Sequence, residues 1–183
     1  MNAPNPIRAW DSRRQGRQRR LERAASLGFE RRIATPRIKE LLEAVIEPRD
    51  RVCLEGNNQK QADFLSEALA DCNPERLHDL HMVQSVLALA SHVDLFERGI
   101  ASKLDFSFSG PQGGRLARLV QDRQIEIGAI HTYLELFGRY FVDLTPNVCL
   151  IAAQAVDAAG NLYTGPNTED TPAIVEATAF KGG

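Results

Sequence analysis

The chain has 183 residues, 43% apolar and 25% charged, with a formal net charge of −2. That is the length and balance of one globular domain with a real core. No apolar run approaches the roughly 20 residues a membrane helix needs, and no secretory apolar region is present, so no membrane span is expected.

The charge is unevenly spread. Residues 1–32 hold nine Arg against Asp11, Glu22 and Glu30, a net of +6, while the remainder carries 13 bases and 21 acids, a net of −8. A basic N-terminus invites a nucleic-acid or membrane reading. The segment lacks the aromatic interleaving of single-strand binders, however. The favoured reading is a solvated helix that packs on the acidic body or on a partner subunit, with neither nucleic acid nor membrane as partner. Asp11, Glu22 and the scarcity of Ser argue against a mitochondrial transit peptide. Cys53, Cys72 and Cys149 are an odd count without a C-x-x-C pair. Cys53 and Cys149, inside apolar strands, read as buried thiols of a reducing compartment, hence a cytoplasmic protein.

In chain order, residues 1–10 form an arm, and Asp11 or Ser12 caps a basic helix that Gly28 ends near Leu27. Thr35-Pro36 starts a second helix with Ile38, Leu41, Leu42 and Val45 on its apolar face, and Pro48 stops it. Residues 1–48 thus form a basic arm with helices, ahead of an α/β domain over 49–183. Arg51–Glu55 is a strand, followed by Gly56-Asn57-Asn58 and a helix to Ala70 whose buried stripe is Phe64, Leu65, Ala68 and Leu69. Leu77–Val83 is the next strand and Val86–Ile100 a helix. Leu104–Phe108 is a strand, Gly110 to Gly114 a turn, and Arg115–Asp122 a helix. Ile125–Ile130 is a strand and Thr132–Tyr140 a short helix. Val148–Val156 is the longest strand, nearly all apolar, as when both faces of a sheet are covered. Strands alternating with helices indicate a mainly parallel open sheet flanked by helices. The last helix, Pro172–Phe180, has an apolar face (Ile174, Val175, Ala179) that calls for a further strand. The expectation is therefore the N-terminal part of a longer polypeptide.

In such sheets ligands bind beyond the C-terminal ends of the strands. Gly56, Asn57, Asn58, Gln59 and Lys60 join a strand end to a helix start. There a glycine allows close backbone approach, the amides donate, and the helix dipole and a cation favour an anion or a thioester carbonyl. The glycine spacing is that of neither a Walker A loop nor a Rossmann fingerprint. The bland alternative is a polar turn with Asn57 or Asn58 as helix cap. Gly165, Asn167 and Thr168 lie before Thr171-Pro172, a helix start whose amides suit an anion, although Glu169 and Asp170 compete for that end. His131 sits at a strand end and is a candidate auxiliary acid or base. His78 and His81 are three apart, and in a strand they face opposite ways with no third ligand in register, so no metal site is expected. No G-x-S-x-G signals a serine nucleophile.

The runs DRVCLEGNNQKQADFL (50–65), HDLHM (78–82), DLFERGIASKLDF (94–106), EIGAIHTYLEL (126–136) and FVDLTPNVCLIAAQAVDAAGNLYTGPNTEDTP (141–172) resemble the α subunit of malonate decarboxylase. That family is similar to the family I CoA transferases. The resemblance covers about residues 37–180. It implies a CoA-transferase-like fold and an acyl-carrier-protein transferase that exchanges acetate for malonate on the carrier thioester. It also implies decarboxylase subunits as partners and a carrier bearing a dephospho-CoA-derived prosthetic group, with no cofactor bound by the chain itself. In that reading residues 56–60 hold the carrier's arm and residues 165, 167 and 168 the substrate. The catalytic carboxylate of related transferases is expected beyond residue 183, so this segment is expected to be inactive alone. Two alternatives stay open: a non-catalytic assembly module, and another CoA-transferase-like subunit such as the citrate lyase α subunit.

Overall fold

A computed structural model describes residues 6–28, 32–56, 62–165, 170–180 and 182, with backbone only for 6–10. The basic helix begins before the cap expected at Asp11 or Ser12, both of which lie inside it: α1 spans Pro6–Ser26, and Gly28 follows with a positive φ of 77° that permits the reversal. A short 3-10 turn at Thr35–Arg37 leads into α2, Ile38–Val45. Two arginines fix α1 to this body. Arg20 donates to the Val45 carbonyl at 2.7 Å and to Glu47 at 3.0 Å, and it grips Asp50 with both terminal nitrogens. Arg23 donates to the Ala44 carbonyl at 2.8 Å and pairs with Glu47 at 2.7 Å. The basic helix thus docks on the acidic body. No described helix is long and apolar enough to cross a membrane.

The α/β unit follows as β1 (Arg51–Leu54), α3 (Asp63–Ala70), β2 (Leu80–Val86), α4 (Ser91–Glu97), β3 (Ala101–Phe108), α5 (Gly113–Gln121), β4 (Glu126–Ile130), α6 (Tyr133–Val142), β5 (Val148–Leu150), the two-residue strands β6 (Ala155–Val156) and β7 (Leu162–Tyr163), and α7 (Thr171–Phe180). Five strands form one parallel sheet in the order β4-β3-β2-β1-β5. The expected open parallel sheet flanked by helices is what the chain builds.

Alternation along the strands divides the core into two layers. Val52, Leu54, Met82, Leu104 and Phe106 face one way, under Leu42 of α2, Leu69 of α3, Phe96 of α4 and Leu116 and Leu119 of α5. Cys53 and Val83 face the other way, under Leu136 and Tyr140 of α6 and Ile174 and Ala177 of α7. Leu54, Met82 and Leu104 are essentially inaccessible, each a burial of about 1.5–3 kcal/mol.

Several boundaries differ from the sequence reading. The second strand starts at Leu80 because Leu77 is held in a turn by its amide bond to Asn73 O and Asp79 adopts a positive φ of 56°. It runs on to Val86, which shortens the following helix to Ser91–Glu97. Phe64 is 46% exposed rather than part of the buried stripe. The apolar run from Val148 does not continue as one strand. It leaves the sheet after Leu150 and returns as β6, which pairs antiparallel with β7 across a turn in which the Asp157 carboxylate accepts from the Asn161 amide. The cap expected of Asn57 or Asn58 lies outside the described residues.

Candidate functional site

The strand order locates the site. From β1 to β4 each strand is laid down on the same side of its predecessor. The chain then returns through α6 on the opposite face and places β5 on the free edge of β1. The direction of winding reverses between β1 and β5, and a doubly wound sheet opens its ligand crevice outside the strand ends at such a switch. The corners that meet there are those following β1 and β5 and the entry to α7.

Four buried polar side chains tie these corners together. Glu55, the residue after β1, is 1% exposed. One of its carboxylate oxygens accepts from the Ala152 amide at 2.7 Å and the other from the Thr171 hydroxyl. Its own amide donates to Leu150 O at 2.9 Å. One strand over, the Ser85 hydroxyl lies against both the Gly56 carbonyl and the Asp170 carboxylate, with one proton to give. Asp170 also accepts from Ile174 through its backbone carbonyl, at 3.0 Å, which opens α7. The acids near the start of α7 therefore do not all occupy its outer end: Asp170 points inward, 1% exposed.

Of the candidate residues from sequence, Gly56 is buried within this latch, and Asn57, Asn58, Gln59 and Lys60 lie outside the described residues. Gly165 has a φ of 83°, so the backbone there calls for glycine. Asn167 and Thr168 lie outside the described residues. The ends of both loops thus meet at one place on the rim, Gly56 facing Asp170 across a single serine.

His131 belongs to a different construction. Its side chain is fully buried and hydrogen-bonded through Nε2 to Asp105 Oδ1 at 2.7 Å and through Nδ1 to Glu135 at 3.1 Å. Asp105 uses its second oxygen for His81 Nε2, also at 2.7 Å. Burial of Asp105 disfavours its charge, but the two imidazoles together outweigh it and hold the carboxyl below its usual range. This His–Asp–His chain joins β2, β3 and the start of α6. It lies under the α6 layer, with Asp105 two strands from β1 and so about 10 Å from that strand at ordinary spacing. Its ring nitrogens and carboxylate oxygens are all engaged, the last of them, His81 Nδ1, by Arg51 Nε at 3.4 Å. His78, by contrast, is exposed beside Asp79.

A family profile described as malonate decarboxylase, alpha subunit, transporter, matches residues 9–183. The chain belongs to the malonate decarboxylase alpha subunit family. A Malonomonas rubra protein named acetyl-S-ACP:malonate ACP transferase is 51% identical over 177 residues, which cover 96% of this chain and 32% of that protein. The crystal structure of a malonate decarboxylase alpha subunit from Acinetobacter baumannii superposes with a TM-score of 0.91 at 54% identity, covering 95% of this chain and 32% of that one. A chain of a Pseudomonas malonate decarboxylase hetero-tetramer in complex with malonate does so with a TM-score of 0.91 at 57% identity, covering 98% and 32%. The chain spans about a third of the length of these relatives.

Within this family fold, sequence reasoning named two loops but not the side chains that join their ends. Ser85 is separated from Asp170 by 85 residues and Glu55 from Thr171 by 116. The one local signal was the polar pair Gln84-Ser85 following the apolar Met82-Val83 in β2.

Proposed function

We propose that the chain forms the sheet and thioester-arm corner of an acyl-carrier-protein transferase, acting in the cytoplasm with carrier and decarboxylase subunits. The reaction exchanges acetate on the carrier thioester for malonate, giving malonyl-carrier and acetate. Family membership and the likeness to the Malonomonas transferase support this reading. The observation that carries it is the meeting of the 55–56 and 170–171 corners at the reversal of the sheet.

In this reading Gly56, Asn57, Asn58, Gln59 and Lys60 receive the polyanionic arm of a dephospho-CoA-derived prosthetic group. Gly165, Asn167 and Thr168 receive the malonate carboxylate, and the helix-start amides behind them supply the positive end. Glu55 and Ser85 set the separation of the two corners and take no part in acyl transfer. His131 carries no step, because its ring is committed to Asp105 and Glu135. Holding two reactants at a fixed approach is a large share of what such an enzyme must do. The carboxylate that forms the acyl anhydride in related transferases is assigned to sequence beyond residue 183, so the chain alone does not turn over.

Amide hydrogen exchange of the 183-residue chain, with and without dephospho-CoA, tests the reading. Protection of residues 56–60 and 165–171 is expected. Protection that appears only with a protein partner, and centres on residues 8–32, overturns it in favour of an assembly module. Exchange of labelled malonate onto an acetylated carrier by the chain alone, at the rate of a full-length subunit, refutes the assignment of the nucleophile elsewhere.

A further inference from the structure

The opposite pole of the sheet carries a second polar construction that the transferase reading leaves unused. Asp50 precedes β1, Asn147 precedes β5, and Gly182 follows α7, so all three lie at the N-terminal rim. Across from them runs α1. Between the two is a cavity of about 240 Å³ whose walls include Arg13, Arg17, Arg19 and Arg20 together with Glu47 and Asp50.

The charges in this cavity do not balance. Four arginines and two acidic residues line it, a surplus of two positive charges. Both carboxylates are already engaged: Arg20 binds Asp50 and Glu47, and Arg23 binds Glu47 from outside the cavity. Among the described residues, Arg13 and Arg17 have no carboxylate within ion-pair distance, and Arg13 Nη1 is buried from solvent without a hydrogen-bond acceptor. Arg13 also stands close enough to Arg51, at the foot of β1, that its charge adds to burial in pushing the Arg51 guanidinium down. A buried donor left unmade and two like charges held together are both costs. One anion in the cavity would remove both.

We propose that this cavity between α1 and the N-terminal rim is a binding site for a small, doubly charged oxyanion. The guanidinium fork matches a pair of oxyanion oxygens, and phosphate and carboxylate satisfy it alike. The volume is below the roughly 300–1,000 Å³ of sites for drug-sized ligands, so the occupant is a free phosphate or a short dicarboxylate and not a nucleotide. The site lies on the other side of the sheet from the thioester corner and does not depend on the transferase reading. A bound anion would join α1 to the strand rim.

The test is calorimetric titration of the 183-residue chain at fixed ionic strength, with inorganic phosphate in one arm, malonate in a second and chloride in a third. Saturable binding of phosphate is expected, or of malonate in a component that Arg13→Gln weakens and that is thereby distinct from binding at residues 165–168, with no saturation by chloride. Arg13→Gln and Arg17→Gln should each weaken that binding at least tenfold, whereas Arg118→Gln, on the exposed side of α5, should leave it unchanged. Because Arg13→Gln also removes a partly buried side chain, the guanidinium NMR signals of the unaltered protein provide a second readout: those of Arg13 and Arg17 should shift with the binding isotherm. The proposal is overturned if neither anion saturates, or if binding persists in both variants and those two signals stay still.

Discussion

Gly128 in β4 shows how much a single atom decides. A Cβ there would stand 2.1 Å from Asp105 Oδ2, the oxygen that holds His81. The carboxylate has no free direction in which to retreat, because its other oxygen is bound to His131. Gly128→Ala should therefore destabilise the protein by about 1–3 kcal/mol, the range for overpacking, and break the His–Asp–His chain. Gly138→Ala, in the middle of α6 with nothing within 4 Å of the added methyl, should instead stabilise by about 0.5–1 kcal/mol through helix propensity. Urea unfolding of the two variants reads the contrast, and equal effects would contradict the packing argument. His92 gives a pH dependence. It is fully buried, and burial lowers its pKa to about 4, with the Val86 backbone offsetting only part of that. The unfolded chain takes up this proton near pH 6.5 and the folded chain only near 4. Between those values the unfolded state binds more protons, so stability falls as pH falls, by about 3 kcal/mol over the window, and is unaffected by this group above it. His92→Gln should flatten the fall in unfolding free energy between pH 6.5 and 4; an unchanged slope would place the titration elsewhere.

At the scale of elements, β1 and α7 are linked by the Glu55–Thr171 contact rather than by sequence neighbourhood. Thr171→Val keeps the shape of the side chain and removes the hydroxyl that donates to a buried carboxylate. A cost of about 1–3 kcal/mol is expected. Thr178→Val in the same helix removes a hydroxyl that donates to Ile174 O and lies against the Cys149 thiol, with no carboxylate left unpaired, and should cost distinctly less. Denaturant midpoints of the two variants compare them; equal losses would mean that the latch carries no more than an ordinary helix contact. The same contact explains what was illegible in the sequence. Strand and helix periodicities are local, and they revealed β1, β3, β4, α5 and α6 within a few residues. The run from Val148 to Val156 has the composition of one buried strand, yet the Ala152 amide is captured by Glu55, 97 residues away. The sheet therefore ends at Leu150. No window of neighbouring residues contains that competitor. For the candidate site, Gly165 was readable because its positive φ is a local backbone demand, whereas Ser85, Asp170 and Thr171 were not, because their roles exist only once the corners meet.

For the whole molecule, the question is whether the two layers on either side of the sheet open as one. Alternation predicted a sheet covered on both faces but not the strand order, since β5 joins the free edge of β1 only because α6 crosses to the second face. The cysteines report on the result. Cys53 lies under α6 and α7, beside the Tyr140 hydroxyl, and burial pushes its thiol well up. Cys72 closes α3 on the other face, where burial raises its thiol to about 12. Neither is a ready thiolate near neutral pH, so both should react with a disulfide reagent only after opening. In a cooperative domain of this size the opening that exposes one should expose the other. Native-state labelling at pH 8, followed by mass spectrometry, should then give equal protection free energies for Cys53 and Cys72, falling together as urea is added. If Cys53 were to label much faster at low urea while Cys72 stayed protected, α6 and α7 would form a separately opening layer, and the latch between Glu55 and Thr171 would be the bond that yields first.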